Sequence, residues 1–282
     1  MSLRRLALAL VGLLALAAAP ACSAPPPHPH PAAPAPTHGA RGSPFADWAV
    51  VLAAGDDRLS GGAGESQGFD NARRDLAKAL AAAGFSPAHM VQLTAHEATA
   101  RAEHLPRTDV PNLIAALDRA AKGAPGGCLF YITSHGSQLG AVAGIDLLTP
   151  ERLARMLDQA CPGRPTVAIV SACYSGVFLE GGMKAADRLI LTAASADRTS
   201  FGCGQTDRYP YFDDCLLSQL PDARDVFELG RAAQTCVVRR EVLTGAHPPS
   251  EPQLFLGNAF KERLPRLRFV GRSADAAPPP QP

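Results

Sequence analysis

The chain has 282 residues, 46% of them hydrophobic, which is enough to bury the core of one large domain or two small ones. Lys and Arg together number 27 against 26 for Asp and Glu, a balance that argues against a nucleic-acid backbone or an anionic membrane surface as partner.

Residues 1–21 open with Arg4-Arg5, continue through an apolar centre, Leu6 to Ala18, and end in small residues. This is the layout of an export signal, too short for a good membrane span. Ala19-Pro20-Ala21-Cys22 resembles the lipobox of bacterial lipoproteins, although Ala19 and Pro20 stand where Leu and a small residue are usual. Cleavage after Ala21 with lipidation of Cys22, or ordinary signal cleavage, both predict an exported protein, periplasmic or anchored to the membrane through a lipidated Cys22 and facing the periplasm. Residues 22–44 are rich in Pro and Ala and lack large apolar side chains, so they read as a disordered linker, with weak metal binding by His28, His30 and His38 as the lesser reading. Residues 272–282 read as a disordered tail, which leaves 45–271 as the folded domain.

In chain order, Trp48–Ala54 reads as a strand, followed by Gly55-Asp56-Asp57-Arg58 and a Gly-rich loop to Gly68. Leu76 and Leu80 lie four apart on a helix over 72–83 that Gly84 stops. Met90–Leu93 is a second strand, and a helix from Val110-Pro111 carries Leu113, Ile114 and Leu117 as its stripe. Cys128-Leu-Phe-Tyr-Ile-Thr-Ser-His135-Gly136 is a third strand, and a Gly-rich turn leads to a helix opened by Thr149-Pro150. Thr166-Val-Ala-Ile-Val-Ser-Ala-Cys173 is a fourth strand, Arg188–Ala194 a fifth and Gln253–Gly257 a sixth, with helices over 213–220 and 227–243 between the last two. Strands alternating with helices predict an α/β fold, a three-layer α/β/α sandwich around a mostly parallel six-stranded sheet.

The third and fourth strands each deliver one reactive side chain at the carboxyl end, the edge where open α/β sheets place their chemistry. A thiol attacks as thiolate and needs a base within reach. Small neighbours, Ser171, Ala172, Ser175 and Gly176, would let a substrate backbone approach Cys173. The amide of Gly136, which follows His135, and that of Cys173 could meet a developing oxyanion.

Tyr131-Ile-Thr-Ser-His135-Gly136 and Val170-Ser-Ala-Cys173-Tyr-Ser-Gly176, one helix apart and preceded by a strand ending Ala-Gly-Asp-Asp, resemble the legumain-type cysteine peptidases of the caspase-like clan. The resemblance spans most of residues 48–257 in element order. It implies a caspase-like fold and peptide-bond hydrolysis, with His135 as general base, Cys173 as nucleophile, and the Gly136 and Cys173 amides as the oxyanion hole. At the position of a legumain Asn that orients the histidine stands Asp57, whose carboxylate would hold the imidazole. Tyr174 replaces an acidic residue after the nucleophile. Where legumains have an Arg-His pair for Asn specificity this chain has Phe69-Asp70-Asn71, so Asp70 either turns the pocket toward a basic residue or caps the helix. Ser200 and Asp214, by position after the fifth strand, are expected in the pocket wall or in an ordinary loop.

Export favours disulfides. Cys128 and Cys161 both precede neighbouring strands and would pair opposite the active site. Cys203 with Cys215 is the other easy pair, with Cys236 a rival. No Cys-x-x-Cys or His-x-x-x-His spacing appears, so no metal or other cofactor is expected. The functional expectation is an exported cysteine endopeptidase acting on a peptide or protein through a thioacyl-enzyme. A transpeptidase or transamidase could use the same dyad, and a non-catalytic envelope binding protein would have lost one of its members.

Overall fold

The computed structural model describes residues 42–59 and 64–270. The export segment 1–21, Cys22, most of the linker and the tail 272–282 lie outside the described residues. The elements in chain order are β1 (Trp48–Ala54), α1 (Gly68–Ala82), β2 (Met90–Thr94), α2 (Glu97–Glu103), α3 (Val110–Gly123), β3 (Gly127–Thr133), β4 (Gly136–Ser137), β5 (Gly140–Ala143), β6 (Asp146–Leu148), α4 (Pro150–Ala160), β7 (Thr166–Ser171), β8 (Arg188–Thr192), α5 (Tyr211–Gln219), α6 (Val226–Thr244), β9 (Gln253–Leu256) and α7 (Asn258–Arg263).

Six strands form the main sheet in the order β2-β1-β3-β7-β8-β9. The first five are parallel and β9 pairs antiparallel to β8 at one edge. The central strands are buried along their whole length, which explains their continuous apolar runs. Side-chain alternation then divides the core. Phe130 and Ile132 of β3 and Ala168 and Val170 of β7 pack under α3 and α4, through Leu113, Leu117, Leu153 and Leu157. Leu129, Tyr131, Val167 and Ile169 face the other way, under Leu76 and Leu80 of α1, Phe212 and Leu216 of α5, and Leu229, Ala233 and Val237 of α6. The result is the three-layer sandwich.

A few elements differ from the sequence reading. Helix α1 starts at Gly68, four residues before 72, so the acidic first turn falls inside the helix. The Gly-rich turn after His135 is a three-stranded antiparallel sheet, β4-β5-β6, fastened to the main sheet by the Val142 amide donating to the His135 carbonyl. Helix α2 has no counterpart in the sequence reading. It carries no apolar stripe, and its start is capped by the His96 ring accepting from the Thr99 amide.

Cys128, at the start of β3, is bonded to Cys161, just before β7, at the sheet edge away from His135. The second disulfide corrects the pairing of Cys203 with Cys215: Cys215 of α5 is bonded to Cys236 of α6, because those two helices pack against each other, and Cys203 is free. Among the described residues no helix is long and apolar enough to cross a membrane.

Candidate active site

Thr133 and Ser171 are register partners on β3 and β7, and each is followed two residues later by a reactive side chain, His135 and Cys173. Neighbouring parallel strands thus deliver an imidazole and a thiol to the same sheet edge. Both side chains are half-buried. Gly136 closes the gap, because a β-carbon there would run into the Cys173 carbonyl oxygen and the Ala172 side chain. Only the residue without a side chain lets the two strand ends approach this closely.

The imidazole is held from two sides. Its Nε2 lies 2.9 Å from the Arg58 backbone carbonyl. A carbonyl only accepts, so Nε2 carries the proton and Nδ1 keeps its lone pair. The buried Phe69 ring meets the imidazole edge to face, centroids 5.2 Å apart. Arg58 is in turn held by Asp56, which accepts from Arg58 Nε at 2.9 Å, from the second guanidinium nitrogen at 2.8 Å, and from the amides of Asp57 and Arg58. Burial works to raise the Asp56 pKa, and the Arg58 bonds and charge outweigh it, so this carboxyl titrates below its ordinary value.

Sequence reasoning assigns the imidazole to Asp57, and the structure gives it instead to the backbone carbonyl of the next residue. The Asp57 carboxyl is pushed up by burial and by the neighbouring Asp56 charge, with His96 opposing.

Ser200 wraps the sulfur. Its amide donates to Cys173 Sγ at 3.3 Å, its hydroxyl lies 3.5 Å away and its carbonyl 3.7 Å. Tyr174 adopts a left-handed backbone, φ 58°, where the strand breaks into a 3-10 turn over Ser175–Leu179, and its amide donates to the Arg198 carbonyl at 2.7 Å. This is a cost of about 1–2 kcal/mol for a residue with a side chain, sustained by the bonds that anchor the turn. One of these is the Ala194 amide donating to Ser175 Oγ at 3.1 Å. Gly136 faces Ala141 as a pair without ladder hydrogen bonds, so its amide is not consumed by the small sheet.

The remaining pocket residues are engaged elsewhere. Asp70 is buried, with one oxygen accepting from Arg73 Nε at 3.1 Å and the other from the Thr94 hydroxyl at 2.9 Å. It offers no free carboxylate to a pocket, and it does not cap the helix, whose N-cap residue is Gln67. Asp214 pairs with Arg240 of α6, whose guanidinium lies over the Tyr211 ring. Its neighbour Asp213 is the one that reaches under the site, where Tyr131 and Thr133 donate to it. Gly64-Glu-Ser66-Gln-Gly68 has the spacing of a serine-hydrolase elbow. Yet Ser66 is buried in the loop before α1 with its hydroxyl accepting from the Gly68 amide, so no strand-to-helix nucleophile turn forms. Among the described residues no cluster of three His, Cys, Asp or Glu could hold a metal ion.

Residues 123–243, which include His135 and Cys173, match the Peptidase C13 family. The crystal structure of caspase-1 from Spodoptera frugiperda is similar in fold, with a TM-score of 0.54 at 16% identity over 79% of this chain and 93% of that one. No curated protein matches the chain in sequence.

Proposed function

We propose that this caspase-like, cysteine-type peptidase is an exported endopeptidase in which His135 is the general base and Cys173 the nucleophile. The observation that carries the reading is the pair of adjacent strand ends, with Gly136 against the Cys173 carbonyl and an imidazole whose Nε2 is committed to the Arg58 carbonyl. Nδ1 is then the nitrogen that takes the thiol proton. The thiolate attacks the scissile carbonyl carbon, the C–S bond forms, and the carbonyl electron pair moves to oxygen, where the Gly136 and Cys173 amides receive it. Collapse breaks the C–N bond as the imidazolium returns its proton to the departing amine, leaving a thioacyl-enzyme. Water, deprotonated by His135, attacks in the same way, and the thiolate leaves with the acid product released.

Ser200 and Tyr174, flanking the sulfur and the turn after it, are the residues that the substrate backbone would meet. Export is supported by the basic start and apolar centre of residues 1–21 and by the two disulfides, which persist in an oxidising compartment. A library of fluorogenic peptides incubated with the parent protein and with Cys173→Ala tests the activity. The reading predicts cleavage by the parent and none by the variant. Cleavage that survives in Cys173→Ala removes Cys173 as nucleophile, and products joined to an added amine would make the enzyme a transpeptidase.

A further inference from the structure

Asp213, on α5, is enclosed beneath the sheet edge that carries the dyad. One carboxylate oxygen accepts from the Tyr131 hydroxyl at 2.9 Å and the other from the Thr133 hydroxyl at 2.6 Å, and the Ser171 hydroxyl adds a further bond. Tyr131 and Thr133 are on β3, and Ser171 is the β7 partner of Thr133. One step along the same alternation from Thr133 is His135, and one step from Ser171 is Cys173. A single side chain from a third element therefore ties together the two strands two residues before each reactive group.

Packing does not ask for an acid here. The surrounding surface of α5 is Phe212, Cys215 and Leu216, and an apolar side chain would bury more cheaply than a carboxylate. Burial holds this carboxyl far above its ordinary range, at about 7, against the three hydroxyl bonds that favour its charged form. The ionisable groups around it are the Tyr131 hydroxyl on β3, itself pushed up by burial and by the Asp213 charge, Arg73 on α1, whose charge acts on Tyr131, and the Cys203 thiol in the loop before α5. All three hydroxyls can donate to a carboxylate, whereas a protonated acid would bring a fourth donor into the cluster.

We infer that Asp213 is a positioning residue, whose carboxylate fixes the separation of the His135 and Cys173 strand ends by bonding Tyr131, Thr133 and Ser171 at once. The inference rests on the reading of His135 and Cys173 as the reacting pair, and its effect passes through them.

The test compares the parent with Asp213→Asn, Asp213→Glu and Thr133→Val in peptide turnover, in thermal midpoint at pH 8 and in the pH dependence of kcat, with iodoacetamide labelling of Cys173 as the control. Labelling of parent Cys173 at the rate of an ordinary surface thiol is the failure of the dyad reading, and it is distinguished from failure of the Asp213 role because it is read in the parent alone. With the dyad active, Asp213→Asn is expected to lose about 10- to 100-fold in kcat, the scale of a small misplacement of reacting groups, with KM within twofold of the parent. The expected profile also loses the ionisation near pH 7, with no fall in thermal midpoint, and Asp213→Glu recovers part of the rate. Thr133→Val, which keeps the acid and removes one tie, is expected to lose rate in the same direction, and it decides the matter if Asp213→Asn does not fold. Parent-like kcat and pH profile in either folded variant overturns the inference, as does a rate loss that only tracks the unfolded fraction.

Discussion

Gly136 and Cys173 are in backbone contact: the glycine at the end of the histidine strand has no room for a β-carbon against the Cys173 carbonyl. The closeness of the two reactive groups thus depends on a missing side chain as much as on those present. Gly136→Ala must push the strand ends apart. A displacement of that kind is expected to cost on the order of 100-fold in kcat/KM. Turnover measured on the folded variant, its fold checked by circular dichroism, decides this, and undiminished turnover would mean that the contact is incidental.

The hold on the imidazole gives a second prediction. The Arg58 carbonyl does the holding, and Asp56 fixes that carbonyl through two backbone amides and the Arg58 side chain. Asp56→Ala should therefore lower kcat by roughly tenfold or more, whereas Arg58→Ala, which keeps the carbonyl, should cost less. Asp57→Asn should leave kcat within about threefold of the parent, since the Asp57 carboxylate is not the imidazole's bonded partner. A larger loss in Asp57→Asn than in Asp56→Ala would return the orienting role to Asp57.

Stability against pH is set in part by Asp213. Its pKa is raised from 3.8 when unfolded to about 7 when folded, so between those values the native state keeps a proton that the unfolded chain has lost. The stability that this group contributes is full below about pH 4 and is lost as pH rises through 7. Asp213→Asn removes the titration. Denaturant unfolding of both proteins at pH 5 and pH 8 should show Asp213→Asn gaining on the parent at the higher pH, by on the order of 2–4 kcal/mol at most. A constant difference between the two proteins would remove Asp213 as the titrating group.

The cysteine pairing is testable by peptide mapping under non-reducing conditions. Bonds 128–161 and 215–236 are expected, with Cys173 and Cys203 the two cysteines among the described residues that are alkylated without reductant. By loop entropy the 215–236 bond contributes about 3 kcal/mol, so Cys236→Ser should destabilise by that amount and Cys203→Ser by far less. A 203–215 peptide in the digest would refute the pairing.

Much of this architecture can be read from the chain. The central strands are contiguous apolar runs because both their faces are covered, and the helices between them show a 3.6-residue stripe. His135 and Cys173 emerge from the same pattern, since each is the polar end of such a run. What escapes is either backbone or distant. The group that holds His135 is a main-chain carbonyl, which no side-chain motif reveals. Tyr131 and Asp213 are 82 residues apart, and their contact exists only because α5 folds back over β3. The small sheet β4-β5-β6 is built of strands two to four residues long, below the length at which alternation can be recognised. Asp70 reads as a pocket carboxylate or a helix cap until the start of α1 is known, and the partners that bury it, Arg73 and Thr94, come from the helix and from β2.

The central claim, that the thiol of Cys173 is activated by the imidazole of His135, is tested most directly by the rate of iodoacetamide alkylation at Cys173 as a function of pH. The account predicts that parent Cys173 is alkylated at neutral pH at least tenfold faster than Cys173 in His135→Ala, whose rate falls to that of an ordinary thiol while the fold stays intact. Equal rates at Cys173 in the parent and in His135→Ala would contradict it.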